Sequence, residues 1–264
     1  MGRAIEMLGF RVANPSTTFT AVTMATGDSN VVRQFTPSAG AVLEHVVRQG
    51  ATSGAWRILS PVLHDNVTGL TWIFNETPSI VAMPDFYGEP MQPGDTLTIQ
   101  GTGATNETEV GAITINYADV LGLSAMLYMW DDIRPNIEHL KPFEVDCSIG
   151  GTAGVWADTL MNATDKQAKA DRKYAVLGWT TDTALAAIAL HGGETGNVRI
   201  GGPGPVTMED TAYWFIQESN RQGSPHIPVI SANNFGSTNV SVLTTATSGT
   251  AKVTLNCALL RAGF

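Results

Sequence analysis

A chain of 264 residues with 43% hydrophobic content can bury two ordinary cores or one large one, yet only 15% of it is charged against a usual ~25%. The formal net charge of −9 and the pI near 4.9 argue against a phosphate-binding surface, because nucleic-acid affinity comes largely from Lys and Arg. Ser, Thr, Asn and Gly replace the charges. That composition fits Thr-rich strands, or a surface mostly occupied by neighbouring subunits, whose interface cores are poor in charge.

In chain order, Met1 to Met7 has no apolar run after its basic residue, so no secretory signal is expected. No run reaches the length of a membrane span, and synthesis in a cytosol is expected. Residues 1–36 read as extended, with alternation over 19–24 and 30–35. Strands are predicted at 41–48 and 55–59. Leu70 to Phe74 is apolar on both faces and is predicted to be central or buried. Residues 75–94 hold Pro78, Pro84, Pro90 and Pro93 and read as a long irregular connection. Thr96 to Gln100 and Val110 to Tyr117 alternate about a polar spacer and read as a hairpin.

Ala118 to Leu140 reads as a boundary, with one short helix over Leu121 to Trp130 stopped by Pro135. Beyond it, strands are predicted at 143–149, 154–160, 174–179, 184–190 and 197–200. Residues 162–173 form a charged excursion, and Gly201 to Pro205 a rigid loop. Thr207-x-x-Asp210 has the form of a helix-capping box. Pro225 to Phe235 is extended, because proline restricts the residue before it. Val240 to Thr244 and Ala251 to Cys257 read as a second hairpin about a Gly-bearing turn.

Four segments recur in one order, at separations near half the chain. Ala41-Val42-Leu43 matches Ala175-Val176-Leu177, and Leu70 to Glu76 matches Ala212 to Glu218. Leu97 matches Val240, and Ile115-Asn116 matches Leu255-Asn256. The recurrence predicts two copies of one all-β unit. It also favours a strand over Tyr213 to Ile216, against the helix that the capping box offers. Seven or eight short strands per unit, with Pro- and Gly-bearing connections, fit Greek-key jelly rolls better than up-and-down barrels.

Little chemistry is written in the chain. His45, His64, His139, His191 and His226 lie far apart, and no HxH, HExxH, GxSxG or P-loop occurs. Gly101-x-Gly103 lacks the helix that dinucleotide binding needs. Cys147 and Cys257 have no zinc-ligand spacing; buried thiols are expected, with a disulfide between them left open. Asp131-Asp132, Glu209-Asp210 and Asp65 beside His64 read as solvated charges. Asp65-Asn66 and Asn233-Asn234 lack calcium-loop spacing. Glu76 and Glu218 are the pair a glycosidase would need, and pairing to Arg is the expected structural role. The six tryptophans read as core anchors more than as sugar platforms. Lys166, Lys169, Arg172 and Lys173, interleaved with Asp165 and Asp171, read as a solvated loop or short helix. No catalytic, cofactor-binding or metal-binding residue and no cofactor is predicted.

Two tandem jelly-roll-like units, few charges and no catalytic motif resemble the double jelly-roll major capsid proteins of tailless icosahedral viruses and bacteriophages, including those with an internal membrane. His226 to Phe235 is similar to the Pro/Ile/Asn-rich approach to a late strand in viral jelly rolls. The resemblance implies an all-β fold, with a first jelly roll over 1–120, a linker over 121–140 and a second jelly roll over 141–264. It implies a non-enzymatic virion protein made in a host cytoplasm. Its partners would be itself, as a homotrimer of pseudo-hexagonal outline, and neighbouring capsomers. Minor or vertex proteins and an internal membrane would be further partners, with no sequence-specific nucleic-acid contact. The alternatives are a carbohydrate-binding tandem β-sandwich, a phage tail or spike component and, behind these, a glycoside hydrolase.

Overall fold

The computed structural model describes residues 2–13, 15–33, 41–50, 53–60, 69–74, 79–82, 91–120, 127–162, 168–204 and 211–264. The first half contains β1 (Gly2–Ala13), β2 (Thr20–Ala21), β3 (Thr23–Met24), β4 (Ala41–Gln49) and β5 (Gly54–Leu59). It continues with β6 (Leu70–Phe74), β7 (Ser79–Ala82), β8 (Thr98–Thr102) and β9 (Thr108–Val120). Then come β10 (Leu127–Tyr128), the single-turn helix α1 (Trp130–Ile133) and a 3-10 turn over Arg134–Asn136. The second half has β11 (Ile137–Ser148), β12 (Ala157–Leu160), β13 (Lys173–Thr181), β14 (Ala187–Gly192) and β15 (Ile200–Pro203). After α2 (Trp214–Gln222) follow β16 (Ile227–Ser231), β17 (Thr238–Leu243) and β18 (Thr250–Leu260).

The pairings nest. In the first half β1 pairs β9, β2 pairs β8, β4 pairs β7 and β5 pairs β6, all antiparallel. In the second half β11 pairs β18, β12 pairs β17, β13 pairs β16 and β14 pairs β15. A long hairpin rolled up gives this nesting, and it folds into two sheets, β3-β1-β9-β4-β7 and β2-β8-β5-β6. The second half repeats the order as β10-β16-β13-β18-β11 and β12-β17-β14-β15. The chain is therefore all-β, with two tandem jelly rolls joined by a short helical connection.

Nesting corrects both predicted hairpins. β8 and β9 are consecutive but lie in different sheets, as do β17 and β18. Alternation shows that a strand is half-buried, but not which strand it pairs with. The spacers cross the ~10 Å between the two layers of a sandwich. Three of the four recurrences fall on equivalent strands: β4 and β13, the β8 and β17 region, β9 and β18. The fourth does not, since Leu70 to Glu76 opens on the strand β6 and Ala212 to Glu218 enters the helix α2.

The predicted strand over Tyr213 to Ile216 is thus a helix, and its stop signal is in the sequence. Gly223 takes a left-handed conformation (φ 57°), its N–H bonds the Ser219 carbonyl, and Pro225 follows. The buried residues Trp214, Phe215, Glu218 and Ser219 recur at helical spacing. The helix predicted at the boundary also moves: its single turn begins at Trp130, where the prediction ended, and residues 121–126 lie outside the described ones. β6 is an edge strand rather than a central one, with Ile73 77% exposed. β7 lies inside the connection predicted to be irregular, and Gly201 to Pro203 belongs to the edge strand β15 rather than to a loop. Proline is tolerated there because an edge strand leaves backbone groups unpaired.

Each sandwich has its own core. Trp56, Phe10, Ile113 and Ile115 pack in the first, and Trp179, Phe143, Leu255 and Tyr174 in the second. Gly101 on β8 makes room for Trp56, because a Cβ there would meet the indole ring at 2.1 Å. Gly101→Ala is expected to cost about 1–3 kcal/mol by overpacking, read as a lower urea midpoint. Cys147 and Cys257 are free, buried thiols, and burial pushes Cys147 up to about 12.

Candidate functional site

Most outward-facing side chains of a sandwich are expected to be wet, yet β1, β4 and β9 are buried on both faces. A third cluster explains this. Met7, Val47, Val110 and Ala112, from the outer face of the β1-β9-β4 layer, pack against Ala187, Ala189, Leu243 and Trp156 of the second half. The outer face of one jelly roll's first sheet thus lies on the outer face of the other's second sheet. Small residues allow the approach: a Cβ on Gly9 would come within 2.8 Å of the Trp156 indole nitrogen.

Polar groups ring this junction. Asp28 accepts from the Gly9 N–H (2.6 Å) and the Trp156 indole N–H (2.7 Å), and pairs with Arg199 (2.8 Å). Burial pushes the Asp28 carboxyl above its usual range despite these donors. The Met7 N–H donates to the Arg199 carbonyl at 2.7 Å, a backbone bond between the halves. Gln49 donates to the Ala184 carbonyl and accepts from the Thr245 N–H.

On the β4 side, His45 Nε2 lies 3.0 Å from Glu218 on α2, and Glu44 lies 3.1 Å from His226 Nε2. Arg221 completes the first pair, and Asn116 Nδ2 donates to Glu44 at 2.6 Å. Burial works to raise the Glu218 carboxyl, but His45 and Arg221 outweigh it and hold it at about 2. A carboxylate that stays ionised to such low pH is a poor general acid.

Among the described residues, exposed side chains stand on the outer face of the β2-β8-β5-β6 sheet and along the β11 edge of the β10-β16-β13-β18-β11 sheet. The centre of the latter is covered by the segment leading into α2: Asn256 Nδ2 donates to the Ala212 carbonyl, and a Cβ on Gly178 would meet the Thr211 carbonyl at 2.3 Å. On the first jelly roll, Gln100, Arg57 and Thr71 lie in one cross-strand row, and Thr102, Ala55 and Ile73 in the next. Arg57 bonds Gln100 and sits 4.1 Å over the Phe19 ring. Beside them is an open depression of about 350 Å³ lined by Thr17, Ser53, Gly54, Ala55, Ile73, Thr102 and Gly103. On the second jelly roll, β11 is an edge strand that alternates in exposure. It turns Leu140 (58% exposed), Glu144 and Asp146 outward, with Lys252 bound to Glu144 at 3.0 Å.

The structure gathers few of the sequence candidates. Glu218 pairs with Arg221 as expected of it, but Glu76, Asp65, His64, Glu209, Asp210 and Lys166 lie outside the described residues. Asp131 and Asp132 open α1, and Asn233 bonds Asp171. Trp56 and Trp179 are fully buried core anchors, while Trp156 and Trp214 are buried beside the junction. The sequence reading missed the adjacency of His45 and His226 through Glu44, because 182 residues separate the partners of that one contact. Glu44 and His45 inside an apolar strand were the available signal. Among the described residues, no group of three or more His, Cys, Asp or Glu could hold a metal ion, and no helix is long and apolar enough to cross a membrane.

No protein-family model matches the chain, and no curated protein matches it. Among solved structures it is similar to the T=1 Penaeus vannamei nodavirus, at 9% identity over 98% of both chains with a TM-score of 0.25. It is similar to the STIV MCP at 10% identity, over 98% of this chain and 97% of that one, with a TM-score of 0.22. The exported protein XepA of PBSX aligns at 10% identity over 94% and 88%, with a TM-score of 0.18. Superpositions this slight define no shared fold; the jelly-roll assignment comes from the nested strand pairings.

Proposed function

We propose that this chain is a structural virion protein, a major capsid protein that self-assembles into trimers of pseudo-hexagonal outline in an icosahedral shell. One observation carries the reading: two jelly rolls of one topology stack through unlike sheets, leaving exposed side chains on the outer sheet of the first and along the β11 edge of the second. A heterologous contact that repeats generates a ring when its rotation closes, and a turn of about 60° per sandwich closes one on three chains. In such a contact the exposed sheet of one chain would meet the β11 edge of the next. Arg57 and Ile73 stand on one, and Leu140, Glu144 and Asp146 on the other.

In this reading residues 1–120 and 141–264 are the two wedges, and 121–140 is the connector. Neighbouring capsomers, minor or vertex proteins and an internal membrane are the further partners, and the role is not enzymatic. Covering the long edge of β11 with a neighbour also removes an aggregation hazard.

Light scattering and negative-stain images of the purified chain test the proposal. A trimer with six similar lobes is expected. Ile73→Asp and Leu140→Asp are each expected to shift the trimer to monomer at least about tenfold, equivalent to ~1.4 kcal/mol, with unchanged circular dichroism. A monomer at all concentrations, or a trimer indifferent to both variants, rejects it. The carbohydrate-binding alternative rests on the open depression lined by Thr17, Thr102 and Ile73. Melting that rises with added sugar would favour that alternative.

A further inference from the structure

We propose that His226 is a proton-operated latch between the two jelly rolls, closed while both ring nitrogens carry hydrogen and weakened when one of them loses it as pH rises. The latch does not depend on what the chain assembles into. His226 immediately precedes β16 of the second jelly roll, and its imidazole reaches β4 of the first. Nε2 lies 3.1 Å from Glu44 Oε1, and Nδ1 lies 3.0 Å from the Ser224 carbonyl oxygen. A carboxylate and a carbonyl only accept, so satisfying both requires an imidazolium. The ring and the Glu44 side chain are each 3% exposed, and water cannot stand in for a lost partner.

Removing one proton leaves two arrangements, both weaker. In one, Nε2 keeps its hydrogen and the Ser224 hydroxyl, 3.2 Å away, donates to the bare Nδ1. The hydrogen bond to Glu44 survives, but its cationic half is gone. In the other, Nδ1 keeps the carbonyl bond and a lone pair faces the carboxylate. Either way Glu44 stays in the interior as an anion whose charge His226 no longer neutralises. Asn116 from β9 still donates to it. The other titratable or charged groups around the latch are His45, next to Glu44 on β4, and Glu218 and Arg221 on α2. Glu218 and Arg221 pair with each other and with His45.

The direction of the pH response follows. Burial works to lower the His226 pKa, but the bond and charge of Glu44 outweigh it and hold it above the usual imidazole range. Its contribution is complete below the unfolded pKa of ~6.5 and is lost as pH rises through the raised folded value, by up to tenfold per pH unit in the closing equilibrium. On the acid side, burial works to raise Glu44, and His226 overcomes it and holds Glu44 below its ordinary range. The latch therefore persists until the solution is acid enough to protonate that carboxylate.

Two measurements on the full chain between pH 6 and 9.5 test this. The first is an NMR titration of the imidazole carbons. The His226 midpoint is expected above the ordinary imidazole range. The second is hydrogen exchange, corrected for base catalysis. Protection of residues 43–47 and 227–231 is expected to fall by up to tenfold per pH unit between ~6.5 and the His226 midpoint and to level off above it, while residues 98–102 in β8 show no such fall. His226→Gln should abolish that slope. A His226 midpoint at or below the ordinary imidazole range overturns the proposal, as does a His226→Gln profile that follows the parent. If that variant does not fold, the titration of the parent protein decides alone.

Discussion

Replacing Arg48 by Met is expected to cost the first jelly roll about 3–5 kcal/mol, the usual penalty for removing one partner of a buried ion pair. Arg48 points inward from β4 to Glu109 on β9 at 2.5 Å, and both side chains are 0% exposed. The loop glycines close over them. A Cβ on Gly50 would sit 1.5 Å from Glu109 Oε2, and one on Gly54 2.6 Å from Arg48 Nη2. Met fills much of the space but leaves a carboxylate facing no cation. Burial, outweighing Arg48, already pushes Glu109 up to about 7, with Glu107 adding to the rise.

The sign of the pH dependence follows from that raised value. A folded-state pKa above the unfolded one means that the native state takes up the proton, so this group's contribution falls as pH rises from about 4.5 towards about 7. Without Arg48 the folded value rises further. The penalty should therefore be larger at pH 8 than at pH 5, where the lone carboxyl is neutral. Urea unfolding at both pH values measures it. The double variant Arg48→Met with Glu109→Leu should recover most of the loss, because replacing a whole buried pair by apolar groups is often neutral or stabilising. A double variant no more stable than the single one would refute a charge-pair origin.

Asp28→Ala should be nearly as damaging, but at the junction instead of in a core. One carboxylate holds the Gly9 N–H, the Trp156 indole and the Arg199 guanidinium, and Asp28 is 3% exposed. Its removal strands two neutral donors, at about 1–3 kcal/mol for each buried group left unsatisfied, together with a cation that is 9% exposed. The expected loss is about 3–5 kcal/mol. Hydrogen exchange should locate it at β1 and the turn before β15, with β5 and β8 spared. Uniform destabilisation of both sandwiches would contradict the assignment of Asp28 to the junction.

Strand positions were largely legible because alternation is local. Val145 and Cys147 face inward between outward Glu144 and Asp146, and the chain shows this within a few residues. Strand partners were not legible. Val240 to Thr244 and Ala251 to Cys257 look like a hairpin, but their pairings go to strands far along the chain. The helix α2 was lost to a misleading recurrence, although Gly223 and Pro225 marked its end. Leu70 to Phe74 looked central because an outward Ile73 is indistinguishable in sequence from an inward one.

By itself, the sequence determined the class of the molecule: an all-β chain, duplicated, with most of its strands in place and little charge. Those properties follow from residue type and period 2, which act over neighbouring positions. Only the tertiary structure decided that the two jelly rolls stack through unlike faces, that Glu44 meets His226 and Asp28 meets Arg199, and which strands stay exposed. The physical reason is range. Side-chain alternation says which face is buried, but the partner that buries it is set by how two finished sandwiches fit together. Their small residues, buried charges and glycine gaps come from positions more than a hundred residues apart.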